Sequence, residues 1–208
     1  MKKIILFSLI VLIGFFLKFD LKAACPSGYG YTQTTRLVTV GGCDFNVEIC
    51  YKCMGIQPGE IRVWGFTKID PNCDPGLDEN QIAAAIYGTV YSPIYLNTLC
   101  GLPGPCESGN ELWYTEIYEI CWWKTYLNGN IWYFPCNLEN CYCWILKKLC
   151  WDGFRYVSLT VQGPAWSCSG YNDDPLEKCP LEPEQVGVPT EQNPHTDCFH
   201  LWTPCNLP

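Results

Sequence analysis

Histidine, methionine and positive charge are all scarce in this chain. It contains two histidines, two methionines, and 13 lysines and arginines against 21 aspartates and glutamates, which gives a formal net charge of −8. Because an acidic surface repels nucleic-acid phosphates, nucleic acid is excluded as a partner. Both histidines, His195 and His200, lie near the C-terminus. A Ser–His catalytic pair or a histidine-rich zinc site therefore has little support.

Several short motifs with known chemistry are also absent. The chain has no Gly-x-Ser-x-Gly, no Cys-x-x-Cys-His and no Asn-x-Ser/Thr. These absences remove the usual signs of a serine hydrolase, a covalently bound haem and N-glycosylation. Cys50 and Cys53 have the spacing of a redox pair, but they lie at the end of a predicted strand, whereas a reactive thiolate is stabilised at a helix N-terminus. The sequence thus gives no support for thiol catalysis.

Long apolar runs are absent beyond the N-terminus. The run from 4 to 17 follows Lys2 and Lys3 and is shorter than the ~20 residues that a membrane-spanning helix needs. Small residues at 23 and 24 come after it, so residues 1–23 are predicted to be a signal peptide. Its removal takes away four lysines and one aspartate, and the net charge of the mature chain becomes −11.

Two other fates of the N-terminus stay open. One is an uncleaved anchor, and the other is lipid attachment to Cys25. Lys22 stands where a lipidation signal normally has a small or apolar residue, and lipidating one of an even number of cysteines would leave an unpaired thiol. We therefore expect a secreted or cell-surface protein with no transmembrane span in its mature chain.

Cysteine, in contrast, is abundant. An even number of cysteines after an export signal indicates a disulfide framework formed in an oxidising compartment. We expect all sixteen to be paired: Cys25, Cys43, Cys50, Cys53, Cys73, Cys100, Cys106, Cys121, Cys136, Cys141, Cys143, Cys150, Cys168, Cys179, Cys198 and Cys205.

The cysteine spacing suggests an internal repeat. The approximate intervals between Cys25, Cys43, Cys50, Cys53 and Cys73 recur between Cys121, Cys136, Cys143, Cys150 and Cys168. Each set accompanies β-prone segments, so we predict a small, disulfide-rich, all-β fold made of two antiparallel β-meander units. Duplication and a chance match in a cysteine-rich chain both explain the spacing.

Turn-rich and proline-rich segments set the expected boundaries. These are a first unit at 24–100, a linker at 101–111, a second unit at 112–170 and a tail at 171–208. The tail is acidic and rich in proline, which disfavours a packed core of its own. We expect its cysteines to tether it to the body, and a free recognition tail is the alternative.

Local signals are clearest in the second unit. Leu112 to Leu127 is rich in aromatic and β-branched residues and reads as one strand. Asn128-Gly129 and Asp152-Gly153 are typical of tight hairpin turns that need positive φ. Four antiparallel strands are therefore expected in this unit.

One short helix is predicted at 79–87. Asp78 is a suitable N-cap, Gln81 is its reciprocal partner, and Gly88 is the expected C-terminal stop.

The segment before this helix resembles a cation loop in its spacing only. Asp70, Asn72, Asp74 and Asp78 place oxygen ligands at every second residue or so, as calcium loops do. Pro75, however, stands where such loops need glycine. No cofactor is predicted, and calcium is the alternative to a polar turn.

Aromatic residues form the main functional signal. The chain has nine tryptophans and thirteen tyrosines, more than one face of a small sheet needs for its core. The predicted ligand-binding residues are Trp113, Tyr118, Trp122, Trp123 and Trp132. The sequence thus favours an exported, non-catalytic binding or structural protein that recognises an unknown extracellular glycan or protein.

The alternative function is a secreted glycan-active hydrolase. Such enzymes use two carboxylates, which are recognised by their separation in space. Glu111, Glu116 and Glu119 lie among the aromatic residues. Strand alternation places Glu116 on the face opposite the other two, which disfavours a single site.

Overall fold

The fold is taken from a computed structural model that describes residues 24–26, 29–53, 58–136, 141–168 and 179–205. The predicted signal peptide, 1–23, lies outside the described residues, as does the start of the predicted tail. Within the described ranges, no helix is long and apolar enough to cross a membrane.

Strands dominate the described chain. They are β1 (Thr32–Val40), β2 (Cys43–Lys52), β3 (Gly59–Lys68), β4 (Leu112–Glu119), β5 (Cys121–Leu127), β6 (Asn130–Pro135), β7 (Tyr142–Trp151), β8 (Tyr156–Ser167) and β9 (Phe199–His200). Two helices, α1 (Glu79–Val90) and α2 (Pro93–Cys100), and a 3₁₀ turn at Pro183–Gln185 complete the regular structure. The prediction of a small, disulfide-rich, all-β fold is confirmed.

Strand β3 is the centre of the sheet because both of its edges are paired. β2 runs antiparallel along one edge, and β1 continues the sheet beyond β2. The other edge of β3 is divided: residues 59–62 pair in parallel with β4, whereas Phe66 and Thr67 pair antiparallel with β6. Two branches follow from this division, one continuing through β7 to β8 and the other through β5 to β9.

The two expected units share this single sheet. β3, from the first unit, hydrogen-bonds to β4 and β6, from the second, so the linker at 101–111 separates the units in sequence but not in the sheet. In the second unit, β6 pairs with β3 and β5, and β7 pairs with β4 and β8. Among the described strands, the repeat in cysteine spacing therefore has no matching repeat in strand pairing, because β1, β2 and β3 form a meander whereas β6 and β7 are not neighbours.

The segment predicted as one strand from Leu112 to Leu127 is two strands. It bends at Ile120, which is fully buried, and passes from the β4 branch to the β5 branch. β4 pairs directly with β3, whereas β5 is separated from β3 by β6. One continuous strand could not occupy both places. The predicted hairpin turn after it is confirmed, since Asn128 and Gly129 have φ values of 53° and 85°.

Helix α1 begins as predicted and runs further. The Asp78 side chain accepts a hydrogen bond from the Gln81 N–H at 2.8 Å, and the Gln81 side chain accepts one from the Asp78 N–H at 3.1 Å. Gly88 is not a stop, because the helix continues to the buried Val90. Burial of this last turn offsets the ~1 kcal/mol that glycine costs inside a helix.

Helix α2 was not predicted from the sequence. Ser92 precedes it, Pro93 stands in its first turn, and Gly101, with φ of 89°, follows its last residue. These are ordinary start and stop signals. They were missed because the segment between them is short and carries little helical periodicity.

The C-terminal segment completes the core. Phe199 and Leu201 are fully buried together with sheet residues such as Trp122 and with residues of both helices. The backbone of β9 pairs with the start of β5. Apolar packing and strand pairing therefore hold the end of the chain, in addition to its disulfides.

Seven disulfides are formed. They are Cys25–Cys50, Cys43–Cys73, Cys53–Cys100, Cys106–Cys150, Cys136–Cys198, Cys141–Cys168 and Cys143–Cys205. Cys198 and Cys205 tether the tail, as expected. The expectation that all sixteen cysteines are paired is not met in the structure, because Cys121 and Cys179 are thiols buried in the interior.

The cap of α1 gives a test of the fold. Asp78→Ala should lower the free energy of unfolding by about 1 kcal/mol, because the N-terminal N–H groups of the helix lose their acceptor. Asp78→Asn keeps a side-chain oxygen and should lose less than half as much. Guanidinium titration of both variants measures the difference, and equal losses would show that the cap does not matter.

Candidate ligand-binding groove

Strand alternation divides the aromatic residues of the β5–β6 hairpin between two faces. In the antiparallel register, Trp123 lies opposite Phe134, and Thr125 lies opposite Trp132. These four side chains share one face of the hairpin. The neighbouring Trp122 faces the other way and is 0 % exposed, with its indole N–H donating to the Glu119 carbonyl at 2.9 Å.

The aromatic rings on the first face are held by stacking. Trp132 and Phe134 stack with their ring centres 5.5 Å apart and their planes 6° apart. Trp123 stacks on the His195 imidazole at 4.8 Å, and the Thr125 hydroxyl hydrogen-bonds to Nδ1 of the same imidazole at 2.8 Å.

His195 reaches this face because the C-terminal segment runs along β5. The Tyr126 N–H donates to the Pro194 carbonyl at 2.8 Å, and the Thr196 N–H donates to the Lys124 carbonyl at 3.1 Å. The segment is too rich in proline to form a full strand, but these bonds set the position of the imidazole over Trp123. The sequence separation of about seventy residues explains why no sequence pattern linked them.

Most of these residues, but not Trp132, line a groove of about 530 Å³. Its walls include Trp64, Trp123, Phe134, Pro135, Pro194 and His195. Among the described residues that line it, none is aspartate, glutamate, lysine or arginine. The groove is therefore a largely apolar, uncharged surface with a few hydrogen-bonding groups. We call it the aromatic groove.

Trp64 is one of the groove residues that sequence analysis missed. The β2–β3 register shifts at this point, so Gly65 lies opposite Glu48, Val63 lies opposite Ile49, and Trp64 is an extra residue without a partner. Such a bulge interrupts the alternation on which the sequence argument depended. The signal that could have located it is the adjacent Gly65, since glycine inside a strand often marks a bulge.

Trp64 also carries an unused hydrogen-bond donor. The side chain is 8 % exposed, and its Nε1 is buried with no hydrogen-bond partner in the described part of the chain. Leaving a buried donor unpaired costs about 1 to 3 kcal/mol. Because this atom is shielded from solvent, a ligand acceptor would reach it only after the indole ring shifts.

Gly65 is required for the close approach of Phe134. A Cβ atom at position 65 would lie 2.7 Å from the Phe134 ring and 3.1 Å from the Tyr133 carbonyl oxygen. The groove floor is thus set by backbone in direct contact with an aromatic ring.

The five predicted ligand-binding residues separate in the structure. Trp123 is half-buried and lines the aromatic groove, whereas Trp132 is half-buried on the same face of the hairpin but does not line the groove. Tyr118 and Trp122 are buried in the core, and we assign them no ligand contact. Trp113 is half-buried on β4, in the other branch of the sheet.

The three acids of the alternative hypothesis are each engaged by a different cation. Glu116 is fully buried and accepts from Lys147 Nζ at 2.8 Å and from the Tyr118 hydroxyl at 2.7 Å. Glu119 pairs with Arg62 at 3.0 Å, and Glu111 lies 3.7 Å from Lys148. A groove of about 640 Å³ lies beside this network, and Tyr118 and Lys147 line it, but Glu116 itself is not among its lining residues.

Burial dominates the acid chemistry of this network. It raises the pKa of Glu116 above the usual 4.5, although Lys147 and the two tyrosines beside it oppose the shift. It also raises the pKa of Glu119 against the opposing effect of Arg62. Glu111 differs, because backbone hydrogen bonds lower its pKa.

The carboxylates of the calcium hypothesis serve the local backbone. Asp70 accepts from the Asn72 N–H and Asp74 from the Gly76 N–H, both at 2.9 Å, while Asp78 caps α1. In the parts of the chain that the structure describes, no cluster of three or more histidine, cysteine or acidic side chains is arranged for a metal ion. A calcium site here stays a prediction from the sequence.

Comparison with family models, with curated proteins and with solved structures gives no match to this chain.

The buried acid makes a prediction about pH. Because the pKa of Glu116 is higher in the folded than in the unfolded chain, unfolding releases its proton above about pH 4.5 and the folded state loses stability as pH rises through that window. Glu116→Gln should abolish this loss. The unfolding free energy of the variant minus that of the wild type should therefore increase as pH rises above 4.5.

Glu111→Gln is the matched control for this experiment. The lowered pKa of Glu111 stabilises the folded state at pH values above 4.5, and that stabilisation is lost as pH falls. The difference between Glu111→Gln and wild type should therefore move in the opposite direction with rising pH. Parallel trends for the two variants, measured by urea titration at several pH values, would contradict the assignment.

Gly65 provides a test of the groove floor. Gly65→Ala should lower the free energy of unfolding by about 1 to 3 kcal/mol, because the new methyl group overlaps the Phe134 ring. Gly88→Ala is the control, since nothing lies near its Cβ position and alanine is the better helix former. Guanidinium titration should show Gly88→Ala at least as stable as wild type. Wild-type stability for Gly65→Ala would mean that the close contact is absent.

Proposed function

We propose that this protein is an exported, non-catalytic binding protein whose aromatic groove holds a neutral sugar ring of an extracellular glycan. The observation that carries the proposal is the combination of half-buried aromatic rings with an unpaired hydrogen-bond donor. Trp123 lines the groove with half-buried aromatic surface, and Trp132 lies on the same face of the hairpin. Trp64, which also lines the groove, has a buried N–H without a partner among the described residues.

Sugar chemistry matches this combination. A pyranose ring has a face of C–H groups that packs on the face of an indole, and it has hydroxyl oxygens around its rim that accept hydrogen bonds. The Thr125 and His195 side chains add polar groups at the groove wall. One flat apolar surface with a few placed polar groups is the arrangement that such a ligand needs.

Charge supports a neutral ligand. The groove lining contains no lysine or arginine among the described residues, and the mature chain is strongly acidic. An anionic sugar or phosphate would meet no cation in the groove and would be repelled by the surrounding field. Neutral hexose-containing glycans carry no such cost.

Two further observations support the proposal, one on location outside the cell and one on binding rather than catalysis. The seven disulfides are compatible with an extracellular protein. Glu111, Glu116 and Glu119 are each engaged in an ion pair, and none lines the aromatic groove. Glycoside hydrolysis needs two carboxyl groups that flank the scissile bond.

The test is binding of the intact exported protein to an array of neutral oligosaccharides, followed by calorimetric titration of the best ligand. Trp123→Ala should weaken binding by about tenfold, because the stacking surface is lost. Trp64→Phe keeps an aromatic ring but removes the N–H, and it should weaken binding by about fivefold.

Trp166→Ala is the matched control. Trp166 is an exposed indole on β8, in the other branch of the sheet, and its removal should leave the affinity unchanged. Absence of binding to every neutral oligosaccharide would overturn the glycan proposal, as would equal affinities for all three variants. Capture of an extracellular protein that depends on Trp123 would show instead that the groove holds a protein side chain.

A further inference from the structure

The two unpaired cysteines lie in a cluster of six at one end of the β5–β6 hairpin. Cys121 and Cys179 are buried there, packed with the disulfides Cys136–Cys198 and Cys141–Cys168. The other fourteen cysteines are all in disulfides. Two buried thiols in the same cluster are therefore candidates to bond to each other.

Backbone pairing brings the two cysteines together. Cys121, the first residue of β5, lies opposite His200 of β9. His200 in turn holds the segment that begins at Cys179: its N–H donates to the Leu181 carbonyl at 2.9 Å, and its Nδ1 lies 3.0 Å from the Cys179 carbonyl oxygen. Cys121 and Cys179 thus lie in the same buried cluster, together with Ile120 and Cys141.

We propose that Cys121 and Cys179 form an eighth disulfide in the exported protein, and that this bond closes a covalent ring around the aromatic groove. The ring is completed by Cys136–Cys198. Cys121 and Cys136 face each other at the open end of the hairpin, where the Cys136 N–H donates to the Cys121 carbonyl at 2.8 Å. The two ends of the segment 179–198 would thus be tied to neighbouring positions on the hairpin.

Most of the groove lies inside this ring. Trp123, Phe134 and Pro135 belong to its hairpin side, and Pro194 and His195 belong to its C-terminal side. Trp64 reaches the groove from outside the ring, on β3. Closing the ring would restrict movement of the His195 segment away from Trp123. A groove that is restricted in this way loses less conformational entropy when a ligand binds.

The bond requires a two-electron oxidant, which we take to be a disulfide of the exporting compartment, carried by an oxidoreductase or a small thiol. One cysteine, as a thiolate, attacks that disulfide, forms a mixed disulfide and expels one thiolate. The second cysteine then attacks the protein sulfur and expels the other. Two thiol protons leave, the oxidant is reduced to two thiols, and one protein disulfide is formed.

The environment of Cys121 and Cys179 indicates when the bond between them would form. The hydrogen bond with Cys121, and after it burial, raises the pKa of the Cys179 thiol. A protonated, buried thiol is a poor nucleophile. The bond would therefore form during folding, while both cysteines are still accessible, and the pair would not act as a redox catalyst afterwards.

The first experiment is mass spectrometry of the exported protein, purified without reductant and unfolded in the presence of an alkylating agent. No alkylation is expected, and a non-reduced digest should contain a peptide pair linked through Cys121 and Cys179. Alkylation of these two cysteines, with the other fourteen bonded, would overturn the proposal. So would a link from either one to any other cysteine.

A second experiment reports on the ring without any ligand, so its result is independent of the glycan proposal. Cleavage by a glutamate-specific protease is followed at Glu184 and Glu191, which are exposed between the two anchors. The double variant Cys121→Ser and Cys179→Ser should be cleaved there about tenfold faster than wild type or more, because one end of the segment is released.

The matched control removes a bond in the other branch of the sheet, by Cys106→Ser together with Cys150→Ser. Its cleavage rate at Glu184 and Glu191 should stay within about twofold of wild type. Equal acceleration in the two double variants would overturn the ring. If the first double variant fails to fold, the peptide link alone decides the proposal.

Discussion

The division of one edge of β3 is the constraint on which the rest of the sheet depends. β4 uses this edge as far as Arg62, and β6 uses it from Phe66 onward. Trp64, the extra residue of the β-bulge, lies in the gap between them. A bulge increases local twist, so two neighbours can leave the same strand in different directions. The two branches, the bend at Ile120 and the return of the chain to β9 all follow from that division.

The aromatic groove lies where the branches separate. Among the described strand pairings, residues 63–65 of β3 have no partner on this edge, and Trp64 and the Phe134 ring, which lies against Gly65, line the groove beside them. The C-terminal segment then supplies the remaining wall through backbone bonds to β5. The groove therefore combines partly buried sheet residues with a segment that is distant in sequence. This origin explains both its apolar character and its unpaired indole N–H.

The disulfides act on a chain that already has a substantial core. Seven bonds at ~2 to 4 kcal/mol each would exceed the ~5 to 15 kcal/mol of a whole domain, so their contributions cannot simply add. Slow unfolding and resistance to proteolysis are the better explanation. Their placement supports this reading, since Cys136–Cys198 and Cys143–Cys205 tie the C-terminal segment to the sheet.

Local chemistry was readable from the sequence, because each signal acts within a few residues. The cap of α1 at Asp78, the hairpin at Asn128-Gly129, the all-β composition and the cysteine-rich framework all belong to this class. The five aromatic residues predicted to bind a ligand do not belong to this class as a set, since Trp123 and Trp132 are half-buried whereas Tyr118 and Trp122 are buried in the core. Helix α2 had usable signals as well, but they were too short to outweigh the β pattern around them.

The tertiary structure decided which of these local pieces become neighbours. The sharing of β3 by β4 and β6, the bulge that turns Trp64 into the groove, and the stacking of His195 on Trp123 each join residues far apart in sequence. Strand alternation assigns a side chain to a face only while the register is regular, and it says nothing about which strand lies alongside. Partner choice is set by the packing of the whole chain, and the groove is a product of that choice.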